Sequence, residues 1–224
     1  MIDLYHPVFD ELIDKISEIA ALIHSYGWAE ANAGNLSVDV TDLLQASDPA
    51  QVRYYLVSRA GSRYRQTALK PRDNLLLIRT EAEHDRCFPA YAKATSEWVS
   101  HRCLQLHNPR FNVILHTHPA EIIALAAEKI SSTPELLNDH LARILPEISL
   151  YLPQGIALCP PLPPGSLELC QASLKALQDQ SALIWNGHGL LTFAEDLDQA
   201  LDLQEIVVKA AKIHFLIKVG VLKI

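Results

Sequence analysis

No stretch of this 224-residue chain is apolar for long enough to span a bilayer, so no membrane partner is expected. Basic residues are in deficit, with 19 Lys and Arg against 26 Asp and Glu and a net charge of -7. That balance excludes a general binder of phosphate backbones, which needs a basic stripe to release counterions. Cysteine is sparse, and Cys87, Cys103, Cys159 and Cys170 form no C-x-x-C pair, which excludes a zinc knuckle or a thioredoxin-like motif. They read as reduced thiols in a cytoplasmic protein. The opening from Met1 to Pro7 has no basic head followed by an apolar run, so no secretory signal is expected. Internal repeats and low-complexity segments are also missing.

Apolar side chains, by contrast, make up 49% of the chain, enough for one sizeable core and a single domain over residues 1–224. From Pro7 to about Ser25 the residues Val8, Phe9, Leu12, Ile13, Ile16, Ile19, Ala20 and Ile23 recur at steps of three and four, which predicts an amphipathic helix. Short apolar runs predict strands at Leu36 to Val40, Val52 to Val57, Leu75 to Ile78, Phe111 to Leu115, Ile148 to Leu152 and Ala182 to Trp185. Helical patterns at Ser96 to Leu106, Ala120 to Lys129, Pro134 to Ile144, Ser166 to Gln178 and Leu197 to Val219 lie among them. The interleaving predicts an α/β layered domain. The proline-rich run from Cys159 to Gly165 reads as a loop feeding the helix near Ser166.

Two histidines, His116 and His118, close the apolar run that begins at Phe111. Strand geometry sends side chains two apart to one face, so both imidazoles can reach one cation. Pro119 then fits the first turn of the next helix. His188, between Gly187 and Gly189, also follows an apolar strand with a helix further on. Three neutral imidazoles leave a coordination position open, as a catalytic metal requires; zinc leads among the first-row divalent ions. Ten histidines also produce such short pairs by chance. Glu97 and His101, four apart, share a helix face, and Glu97 reads as a fourth ligand, a proton carrier or a surface residue. Glu147, placed just before a predicted strand, reads by itself as a surface residue.

Four blocks in order, Ala31 to Ser37, Ala94 to Glu97, Val113 to His118 and Trp185 to Gly189, resemble the class II aldolase and adducin family. The resemblance implies a three-layer αβα domain around a mixed, largely antiparallel sheet, assembled as a homotetramer with sites near subunit interfaces. It places the family's metal ligands on His116, His118 and His188 and its metal-proximal glutamate on Glu97. A second glutamate, the proton carrier of one branch of the family, falls on Glu147. The activity implied is cleavage or condensation of a ketose 1-phosphate, or a related anionic ketose, through a metal-stabilised enediolate. A pentulose-phosphate 4-epimerase or a thioribulose-phosphate dehydratase uses the same scaffold, and a non-catalytic adducin-like interaction module is the remaining alternative.

For the substrate anion the family pattern points to Asn32, Gly34, Asn35 and Ser96. Where a small Gly-Ser-Gly-type loop is usual, this chain has Ser58 to Arg63, with Arg59 and Arg63 in it. Two readings stand open: an arginine forks onto a phosphate or carboxylate, or both turn outward and the anion pocket is altered. The run Arg59, Arg63, Arg65, Lys70 and Arg72 is a basic cluster in an acidic chain, which as a rule is a solvated face but also suits an anionic small molecule. The family often has a C-terminal tail reaching a neighbour's site; with the chain ending at Ile224, no group from such a tail is expected.

Overall fold

The computed structural model describes residues 3–45, 52–81 and 84–220. The chain's end at Ile224 lies outside them.

In chain order, a 3-10 turn at Pro7–Phe9 leads into α1 (Asp10–Ser25), β1 (Asn35–Asp39) and β2 (Val52–Ser58). Two single-turn helices, α2 (Tyr64–Thr67) and α3 (Pro71–Asn74), precede β3 (Leu75–Glu81) and β4 (His84–Phe88). Then come α4 (Trp98–His107), β5 (Val113–Thr117), α5 (Ala120–Ala126), a 3-10 turn at Lys129–Ser132, α6 (Pro134–Ile144) and α7 (Ile148–Tyr151). The order closes with β6 (Ala157–Cys159), α8 (Leu167–Ala176), β7 (Ala182–Trp185), β8 (Gly189–Ala194) and α9 (Leu197–Lys218).

The strands form one eight-stranded sheet in the order β4-β3-β2-β1-β5-β8-β7-β6. Every pairing is antiparallel except β6 with β7. Alternation along the strands sorts the core into two layers. Leu36, Leu56, Leu77, Val113, Leu115 and Ile184 face α1, α5, α6 and α9 in the larger apolar cluster. Ile114, Leu183, Trp185, Leu191 and Phe193 face the other way, with Leu104 of α4 and Leu169 of α8. On that second face, Tyr55, Val57, Leu76 and Ile78 pack with Trp98 at the start of α4. The sheet is thus covered on both sides, the αβα arrangement expected. In α1 the fully buried Ile13, Ile16, Ile19, Ala20 and Ile23 are the periodic positions, each isoleucine contributing about 1.5–3 kcal/mol by leaving water.

One expected strand is a helix instead. Ile148–Tyr151 form the single turn α7, closed by the amide of the following Leu152 on the Ile148 carbonyl. Ile148 and Leu152 are buried while Leu150 is 80% exposed, a four-residue rather than a two-residue repeat, and Pro146 and Pro153 leave no length for a ladder. The expected helix Ala120 to Lys129 is also shorter: it ends at Ala126, and Lys129 opens a separate 3-10 turn. Pro119 caps α5 from outside its first turn. The four cysteines carry no disulfide, and burial pushes the thiols of Cys87, Cys159 and Cys170 up, the last to about 12.

Candidate active site

The site lies where β1, β5 and the β7–β8 turn meet on the α4 side of the sheet. In the ladder Asn35 stands opposite His116, so residues 35 and 37 of β1 and 114 and 116 of β5 present side chains to α4. His188 is brought in differently from the expected strand-to-helix arrangement. Trp185 pairs with Gly189, so Asn186, Gly187 and His188 are a three-residue hairpin turn, and β8 follows at once.

Gly189 is fitted to this crossing. A Cβ there would overlap the Thr117 carbonyl oxygen and stand 2.9 Å from His116 Cε1 and 3.0 Å from His118 Cδ2. Gly187 serves the turn through its φ of +72°, a region costly to other residues. Trp185 stacks on His188, with ring centroids 5.1 Å apart, and is fixed by its own indole N–H on Ser173 Oγ at 2.8 Å.

His116, His118 and His188 offer ring nitrogens that all lie within 4.8 Å of one another, and they form the one such group of three metal-ligating side chains among the described residues. His116 Nδ1 lies 3.0 Å from the Leu190 carbonyl, which can only accept. Nδ1 therefore carries the proton, and the Nε2 lone pair points into the site. His118 Nε2 is 2.9 Å from it. Burial lowers the pKa of all three rings, with neighbouring imidazoles adding to the effect at His116 and His118, the latter reaching about 3. The rings are neutral at ordinary pH, the state in which imidazole is a ligand.

Glu97, at the cap of α4 and only 5% exposed, closes the group. Its Oε1 is 3.2 Å from His188 Nε2 and its Oε2 is 3.4 Å from His116 Nε2. Asn35 donates its amide to Oε2 at 2.6 Å, fixing the carboxylate plane. His101, one turn along α4, is fully buried with its Nδ1 at 2.8 Å from Ser37 Oγ, and burial lowers its pKa to about 4. It supports α4 from behind the site.

A cleft of about 170 Å³ opens beside the histidines, and Asn32, Gly34, Asn35, Arg59, Ser96, Glu97 and His118 all line it. Its other walls, Ala33, Ala60, Gly61, Ser62 and Thr95, lie in the loop and blocks that the sequence pointed to, although none of them was singled out as a site residue. Asn35 differs from expectation in that its amide nitrogen is committed to Glu97. Arg59 reaches across the rim, donating to the Asp73 carbonyl at 2.9 Å and lying 6.0 Å from the Tyr91 ring centre. Arg72 is used elsewhere, on Asp10 at 2.5 Å and the Leu4 carbonyl at 3.0 Å. Glu147 is not brought to the triad. It caps α7 on the other side of the sheet and pairs with Lys209 of α9 at 2.9 Å.

The class II aldolase and adducin N-terminal domain model matches residues 14–215. The chain belongs to the class II aldolase and adducin family. Among its relatives, the rhamnulose-1-phosphate aldolase of Bacteroides thetaiotaomicron is 26% identical over 95% of this chain and 88% of its own length. The rhamnulose-1-phosphate aldolase of Listeria welshimeri is 27% identical over 96% and 85%. The crystal structure of a sugar-phosphate aldolase from Thermotoga maritima superposes with a TM-score of 0.81 at 27% identity, covering 94% of this chain and 96% of that one. In the present chain, His116, His118 and His188 form a group able to hold a divalent metal.

Proposed function

We propose that this chain is a zinc-dependent aldehyde-lyase that cleaves or condenses a ketose 1-phosphate, or a closely related anionic ketose. The observation that carries the proposal is the contact of one buried carboxylate, Glu97, with two of three converging neutral imidazoles. The donor set fits the ion. The three ring nitrogens lie close enough together to meet at one cation, and nitrogen donors suit zinc. His116, His118 and His188 would hold it. When bound, the ion supplies Lewis-acid stabilisation of the negative charge that develops on the ketose oxygens as the carbon-carbon bond breaks.

The chain's own side chains do the rest. Asn35 holds Glu97 Oε2, which leaves Oε1 to carry the proton to and from the reacting hydroxyl or carbon. The cleft wall from Asn32 to Asn35, with Ser96, receives the phosphate, and Arg59 adds a charged hydrogen bond from the rim on leaving the Asp73 carbonyl. Glu147 belongs to the site of a neighbouring copy in this reading, with four subunits assembled as in the family. The 1–224 chain acts as one domain in the cytoplasm, without nucleic acid or membrane.

Incubating the zinc-loaded protein with dihydroxyacetone phosphate and lactaldehyde tests the reading, because joining them gives a 6-deoxyketohexose 1-phosphate. A new ketose phosphate is expected. No condensation, with turnover of a pentulose phosphate instead, would make the chain an epimerase on the same scaffold; dehydration of a thioribulose phosphate would make it a dehydratase. A non-catalytic adducin-like module predicts a decayed ligand set, whereas His116, His118 and His188 remain together.

A further inference from the structure

The strand that carries two of the histidines is gripped from the face opposite the cleft. Gln204, near the middle of α9, is fully buried among Leu201, Leu203, Val207 and Val208. An amide there costs about 1–3 kcal/mol if its hydrogen bonds go unmade. They are made. Oε1 accepts from Thr117 Oγ1 at 2.5 Å, and Nε2 donates to the Leu115 carbonyl at 2.9 Å. These two residues flank His116, so a single side chain holds the strand immediately before and after that ligand. Nε2 also lies 3.3 Å from Thr192 Oγ1 and 3.5 Å from the carbonyl of Leu190. The Leu190 carbonyl is the one that takes the His116 Nδ1 proton and so turns Nε2 towards the site.

From this arrangement we infer that Gln204 is a positioning residue for the metal site, fixing the backbone of His116 and the approach of His118 without touching ion or substrate. The inference rests on the proposed reading of the triad as a metal site. Ligand geometry must hold to within about 0.5 Å for a productive site, and loss of an outer hydrogen-bonding partner commonly weakens metal binding about 10–100-fold. Thr117 turns its hydroxyl to α9 because His116 turns to α4, so the bond to that hydroxyl is made from the α9 side.

The test is a cobalt(II) titration against a competing chelator, reading affinity and the d–d absorption band in the full-length protein. Gln204→Leu is expected to fold, to bind cobalt about 10–100-fold more weakly and to shift the band. Thr117→Val, which keeps the shape and removes one of the two short bonds, is expected to move both readouts in the same direction by less. Asn138→Ala is the comparison: Asn138 ties α6 to Ile156 through two hydrogen bonds and adds a third to the Pro134 carbonyl within α6, none of them to the triad or to β5, and its loss is expected to lower the melting temperature with affinity and band unchanged. A folded Gln204→Leu protein with wild-type affinity and band overturns the inference. If that variant does not fold, unchanged affinity and band in Thr117→Val overturn it. Equal weakening in Asn138→Ala also overturns it, by reducing the effect to general destabilisation. Absence of cobalt binding in the wild-type protein is a separate result, which sinks the metal reading itself.

Discussion

Gly189→Ala separates crowding at the ligands from ordinary loss of stability. Gly189 opens β8 in extended backbone, so alanine meets no torsional obstacle there. What it meets is the Thr117 carbonyl, held in the ladder between β5 and β8, and the rings of His116 and His118 at 2.9 and 3.0 Å. Ordinary contact begins near 3.4 Å, so the rings must retreat by 3.4 − 2.9 = 0.5 Å and 3.4 − 3.0 = 0.4 Å. That displacement is at the limit of what a metal site tolerates, about 0.5 Å. Metal affinity should fall about 10–100-fold, or roughly 1.4–2.7 kcal/mol, and overpacking should cost about 1–3 kcal/mol of stability. Gly187→Ala is the control. Its Cβ would meet nothing within 4 Å, but φ is +72°. It should lose about 1–2 kcal/mol of stability with metal affinity near wild type. Zinc affinity by chelator competition, beside chemical denaturation of the apo forms, reads both quantities. Wild-type affinity in Gly189→Ala would refute the reasoning.

Glu97→Gln keeps the shape and removes the proton carrier, so kcat should fall about 10²–10⁴-fold in the condensation assay while metal remains bound. Arg59→Ala should raise KM for a phosphorylated ketose by about 10–100-fold, the value of a charge-assisted hydrogen bond of about 1.5–3 kcal/mol, and should leave an unphosphorylated analogue unaffected. His140 of α6 and His214 of α9 share a hydrogen bond at 2.9 Å, with Arg143, Glu128 and Lys218 as their charged neighbours. Burial lowers both pKa values below 6.5, so the unfolded chain binds more protons than the folded one as pH drops through that value. Their contribution is complete above about pH 7 and is lost on acidification, by at most about 1.4 kcal/mol per pH unit for each proton taken up. Denaturation between pH 7.5 and 5.5 should show His140→Gln with a flatter profile than wild type; equal slopes would remove the pair from the account.

The sequence was readable where the pattern is long or unbroken, as in α1, whose isoleucines mark a single face, and in β5, whose apolar run is buried throughout and carries on into His116. The reading failed where a short apolar run has two geometries open to it. Ile148 to Leu152 has strand composition, yet only its first and last residues are buried, and that is decided by packing against α9. β4 escaped because an edge strand such as His84–Phe88 needs no apolar stripe. β8 escaped because it starts directly after the His188 turn, where a helix further on was expected.

At the site, the His116 and His118 pair follows from local strand geometry, but its union with His188 and Glu97 joins residues far apart in sequence, and the ordered family blocks were what linked them. Asn35 was assigned to an anion because nothing local says that its amide meets a carboxylate 62 positions away. Gln204 left no mark at all. A glutamine on the buried face of α9 acquires meaning only when the strand it grips is known.

The central claim is that His116, His118 and His188 together hold a divalent cation on which turnover depends. Metal content by mass spectrometry after gentle purification under metal-replete conditions, on wild type and His188→Ala side by side, tests it most directly. The account predicts one divalent metal per wild-type chain and a folded, inactive His188→Ala protein with most of it lost; a wild-type protein without stoichiometric metal, or a His188→Ala protein with unchanged metal and rate, would contradict it.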